Sequence, residues 1–71
     1  MDKDRQNKAM FVSFCIEQYA NAKNMPTSDV ATLLEHYGIT GHLCEFYDVL
    51  HTQGNNWLVE EIDEMINKRK Q

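Results

Sequence analysis

Four residues, Pro26, Gly38, Gly41 and Gly54, are the only strong helix breakers in this 71-residue chain. A chain so sparsely interrupted, with apolar residues recurring every three to four positions, has few ways to fold other than as helices. No stretch alternates apolar and polar residues as a strand would. The spacing therefore predicts an all-α compact bundle of four helices, over about 4–23, 28–37, 41–51 and 56–68. The connections are two to five residues long, as in helical bundles. Residues 1–71 read as a single helical domain.

The apolar faces follow from a turn of about 100° per residue. In the first segment Met10, Phe11, Phe14, Cys15, Tyr19 and Ala22 form the ladder, and Val12, Ile16 and Ala20 widen it. An arc that wide suits a central helix or one with a second surface to bury. Asn24-Met25-Pro26 ends it. In the second segment Thr27 is the expected N-cap, and Val30, Leu33, Leu34 and Tyr37 form a narrow stripe. Gly38 is the expected left-handed terminator. In the third, Thr40 is the expected N-cap, and Leu43, Phe46, Tyr47 and Leu50 line one side, flanked by Cys44 and Val49. In the fourth, Leu58, Val59, Ile62, Met65 and Ile66 are the buried face. Glu60, Glu61, Asp63 and Glu64 are expected to point out.

Charge is distributed unevenly. The net is -4, but residues 24–67 contain no Lys or Arg and sum to -8. Residues 1–23 sum to +1, and Lys68-Arg69-Lys70 adds +3. A nucleic-acid binder needs cations to replace condensed counterions, and a 44-residue acidic stretch supplies none. Solvated helix faces account for the carboxylates, and so would a surface for a basic partner. No apolar run approaches the length of a membrane span, and Met1–Lys8 is polar with both charge signs, unlike a secretory leader. With two cysteines and no disulfide framework, the cytoplasm is the expected compartment.

Several constellations hold residue types suited to chemistry. The second and third segments, joined through Gly38-Ile39-Thr40, have the spacing of a helix-turn-helix. The would-be reading helix offers Gly41, His42, Glu45 and Asp48, whose carboxylates repel phosphate. His42, Cys44, Glu45, Asp48 and His51 are metal-ligating types, and Asp48 and His51 are spaced to share a face. A metal centre would need partners from another helix, and the second offers only Glu35 and His36. Cys15 and Cys44 lie within apolar surfaces, where a thiolate is disfavoured and an inert, buried cysteine is expected. Trp57 lies off the Leu58, Ile62 and Ile66 stripe. It either closes the end of the core over the Thr52–Asn55 turn or marks a contact site.

Three stretches carry a family resemblance: Phe14–Ala20, Tyr37-Gly38 and above all Glu45-Phe46-Tyr47-Asp48-Val49-Leu50-His51-Thr52-Gln53-Gly54. With Val59–Asp63 they make the chain, from about 8 to 68, similar to a short bacterial helical domain family of unknown function. Members of that family are often encoded near ADP-ribosyltransferase-like proteins. The resemblance implies a cognate-partner or antitoxin-like role and brings no catalytic residues with it. It also places a capping Ser where this chain has Pro26, which would start the second helix one residue later.

The expectation is therefore a non-enzymatic protein–protein interaction module, with no catalytic, cofactor or metal residues and no nucleic-acid or membrane partner. It would pair with itself, as a homodimer through the first or third helix, or with a neighbouring gene product. Trp57, Glu60, Glu61, Asp63 and Glu64 are the candidate partner-binding residues. The alternatives are a helix-turn-helix-like DNA-binding regulator and a small metal-binding or redox protein.

Overall fold

A computed structural model describes residues 3–70. They form five helices: α1 Lys3–Lys23, α2 Thr27–His36, α3 Ile39–Glu45, α4 Tyr47–Leu50 and α5 Asn55–Lys70. Four of them are seven residues or longer, and no strand occurs among the described residues.

α1 runs long because nothing in it opposes helix. It stops where Asn24 takes a left-handed φ of 57°. The Met25 N–H then reaches back to the Ala20 carbonyl at 2.9 Å and the Asn24 N–H to the Asn21 carbonyl at 3.4 Å. That pair of bonds is a Schellman ending, with Asn in place of the usual Gly. Pro26, not Thr27, is the N-cap of α2. Its ring presets the extended cap conformation (φ -65°, ψ 145°), and its carbonyl accepts the N–H groups of Asp29 and Val30. α2 thus starts one residue before the expected Ser28, not one later. Gly38 ends α2 at φ 71°, as its sequence position implied, and then serves as the N-cap of α3. One left-handed glycine does both jobs, so α3 starts at Ile39 and the expected cap Thr40 lies inside its first turn.

The predicted third helix is not continuous. It breaks at Phe46 (φ -105°, ψ 26°) into α3 and the single-turn α4. No Gly or Pro causes this. Beyond the break the Tyr47 ring meets Phe11 of α1 edge-on, centroids 5.5 Å apart at 72°. Leu43 before the break and Leu50 after it are both buried. Phe46 itself is left 45% exposed, and Val49 is exposed too, so neither completes the apolar side assigned to them.

The core gathers around α1, which packs on α2, α3 and α5. α1 contributes Phe11, Cys15, Tyr19 and Ala20, while α2 contributes Val30 and Leu34. α3 and α4 add Ile39, Leu43 and Leu50, and α5 adds Leu58, Ile62, Met65 and Ile66. Val12, Ile16, Leu33, Tyr37, Tyr47 and Val59 seal the margins. Two members of the expected α1 ladder, Met10 and Phe14, point the other way and are exposed, while Ala22 is in line with Phe11 and Cys15 and is exposed in the last turn of the helix. The arc was wide because it contains two faces, and only the Phe11–Cys15–Tyr19 side is covered.

Candidate functional site

The most distinctive surface lies on α5, opposite its buried stripe. Trp57, Glu60, Glu61, Glu64 and Asn67 recur at helical spacing and line a shallow concavity of about 370 Å³. Trp57 is 42% exposed at the head of this face, so of its two open placements it takes the surface one. All five candidate partner-binding residues line this concavity. Glu60 and Glu64 are exposed and Glu61 is half-buried.

Asp63 lines the edge of the concavity but does not point freely out with the others. It turns toward α1, where the Tyr19 hydroxyl donates to its Oδ1 at 2.5 Å and the Lys23 ammonium meets its Oδ2 at 2.5 Å. The Lys23 Nζ also lies 5.7 Å from the centre of the Tyr19 ring. Partial burial works to raise the Asp63 pKa, but the bonds from Lys23 and Tyr19 and the Lys23 charge outweigh it and hold the carboxyl below its ordinary value. Tyr19 is displaced oppositely. Burial, the bond it donates and the Asp63 charge all push its phenol well above the ordinary value. Asp63 therefore belongs to the joint between α1 and α5 more than to the open face.

A second tie crosses the molecule near the C-terminus of α5. Arg69 Nη1 donates to the Tyr37 carbonyl at 2.7 Å, capping the C-terminus of α2. A guanidinium there also complements the negative end of the α2 dipole. Neither tie has a local sequence signature, since Tyr19 and Asp63 are 44 residues apart and Tyr37 and Arg69 are 32 apart.

The ligand-type residues are dispersed. The His51 ring packs flat on Tyr47, with its Nδ1 2.7 Å from the Tyr47 carbonyl. The His42 ring leans on Phe46. Among the described residues no three His, Cys, Asp or Glu side chains converge as metal ligands would. The helix in the reading position of a helix-turn-helix, α3, is seven residues long.

The cysteines differ from each other. Cys15 is fully buried, and burial pushes its thiol up to about 12, so it stays protonated and inert. Cys44 is only half-buried, contrary to the expectation of two buried thiols, and borders a groove with Asp4, Arg5, Lys8 and Ala9. In the folded protein a thiol reagent should label Cys44 and spare Cys15. Mass spectrometry of the labelled protein with and without denaturant checks this, and equal labelling of both in the folded state would refute it. Among the described residues no helix is long and apolar enough to cross a membrane.

No curated protein and no solved structure matches the chain. A family model does, from residue 10 to residue 69, spanning all of α2 to α4 and most of α1 and α5. The chain belongs to that family, DUF3791, described as proteins of unknown function.

Proposed function

We propose that this chain is a non-enzymatic protein–protein interaction module acting in the cytoplasm. The observation that carries the reading is Trp57, a large apolar side chain left 42% exposed at the head of the carboxylate face of α5. Trp is among the residue types most enriched at interface hot spots, and the rim around such an anchor is polar. The Cys15 thiol is buried and held protonated, and among the described residues no three His, Cys, Asp or Glu side chains converge.

The partner that fits this face is a basic protein surface. The resemblance to domains encoded near ADP-ribosyltransferase-like proteins makes such a neighbouring gene product the partner to test first, with the acidic face meeting a basic cleft. Co-purification followed by titration at rising salt tests it. Replacing Glu60, Glu61 and Glu64 together by Gln should slow association by about tenfold at low salt and flatten the salt dependence. Trp57→Ala should instead speed dissociation, with a loss of about 2 kcal/mol. Binding unchanged by both variants would remove the α5 face from the interface.

A further inference from the structure

We propose that the outer face of α1 pairs, antiparallel, with the same face of a second copy, in a symmetric dimer centred on Met10. This rests on the reading of the chain as an interaction module and names one of its partners, the chain itself.

α1 is covered on one side by α2, α3 and α5, and its opposite side is bare. Down the middle of that bare side run Lys3, Met10 and Glu17, seven residues apart. At about 100° per residue they stay within about 40° of one another on the helix. Phe14 follows Met10 by one turn on the same side, and Gln6 and Ser13 complete the stripe. All six are exposed, Met10 at 66% and Phe14 at 39%. Met10, Ser13, Phe14 and Glu17 also border a common groove. The stripe is thus an apolar centre with a cation on one side and a carboxylate on the other.

That order of charges selects the second copy and its direction. A two-fold axis through Met10 sets Lys3 of one chain against Glu17 of the other at both ends, each pair about 10 Å from the axis. A parallel pairing would oppose Lys3 to Lys3 and Glu17 to Glu17. The intrachain ion pairs of α1 among the described residues, Asp4–Lys8 and Lys23–Asp63, use neither Lys3 nor Glu17. At the centre the Met10 thioethers meet, and each Phe14 ring lies across from Gln6 of the other chain. A single helix pair falls below the ~1,200 Å² of standard interfaces, so the dimer is weak, concentration-dependent and weakened by salt.

Sedimentation equilibrium on the full chain, from micromolar to millimolar concentration at low salt, tests this. The parent should pass from monomer to dimer across that range. Met10→Glu should stay monomeric, while its circular dichroism melt matches the parent because the site is on the surface. Lys3→Glu and Glu17→Lys should each weaken dimerisation about tenfold, since each change turns two attractions into repulsions. The double variant K3E/E17K, which reverses both charges, should restore it. A parent monomeric throughout overturns the proposal, as does a dimer indifferent to the single swaps or not rescued by the double one. The Glu60, Glu61 and Glu64 to Gln variant should dimerise like the parent, so loss of self-association leaves the α5 reading standing. A dimer dissolved by that variant instead overturns the placement on α1.

Discussion

Leu34→Ala should lower the unfolding free energy by about 3 kcal/mol, the middle of the range for emptying a leucine site in a packed core. Leu34 is fully buried, on a helix of only ten residues that packs on both α1 and α3. Val30 is the only other fully buried side chain on α2, so little remains to hold the helix in place once Leu34 is cut back. A domain this short has a total stability of about 5 kcal/mol, so the variant would lose most of it. Its melting midpoint should fall by about 15 °C. Leu33→Ala, one residue away but only partly buried, is the control and should cost about 1 kcal/mol. Urea unfolding monitored at Trp57 measures both. Equal losses at the two positions would mean that α2 is not anchored through Leu34.

The helical class and three of the four predicted segments were legible because they depend on local terms. Breakers set the boundaries, and the 3.6-residue period set the buried faces of α2 and α5, where Val30, Leu34, Leu58, Ile62, Met65 and Ile66 are all buried. The start of α2 was misjudged by one residue because a proline presets the cap conformation as effectively as a Thr side chain fills it. The break at Phe46 had no local cause to read. What lies beyond it is a long-range contact, the Tyr47 ring against Phe11, between residues distant in sequence. α1 shows the limit of periodicity most clearly. A helix with apolar residues on two sides gives one wide arc, and the arc does not say which side the bundle will cover. Met10 and Phe14 therefore read as core and lie on the surface. On α5 the period correctly put Trp57, Glu60 and Glu64 outside. It put Asp63 there as well, and only the fold brings Tyr19 and Lys23 within reach of it.

Asp63→Ala should cost about 2 kcal/mol, although a carboxylate on the rim of a bundle would ordinarily be worth little. The Lys23–Asp63 attraction is the smaller part, because both side chains are more than a third exposed and solvent screens them. The larger part is Tyr19. The residue is 5% exposed, and its hydroxyl loses its acceptor when Asp63 is cut back to a methyl group. Asp63→Asn keeps an oxygen for that hydroxyl and removes only the charge, so it should cost about 0.5 kcal/mol. The pH dependence separates the two contributions. The Asp63 carboxyl is held below its ordinary 3.8, so its contribution is complete above that value and is lost as pH falls through the lower folded one. Asp63→Asn should therefore lose less stability than the parent on acidification below about 4. Tyr19 has the opposite sign. Its folded pKa is raised, so its contribution is complete below the ordinary 10.0, and as pH climbs above that the unfolded phenol ionises while the folded one does not. Cys15 adds a window of the same sign between 9.0 and about 12. Tyr19→Phe should thus keep the Cys15 share of the alkaline loss and shed the rest. Chemical denaturation of the parent and these two variants at pH 3, 7 and 10.5, about the edges of those windows, resolves the contributions. Parallel profiles for all three proteins would show that the α1–α5 joint does not depend on Asp63 and Tyr19.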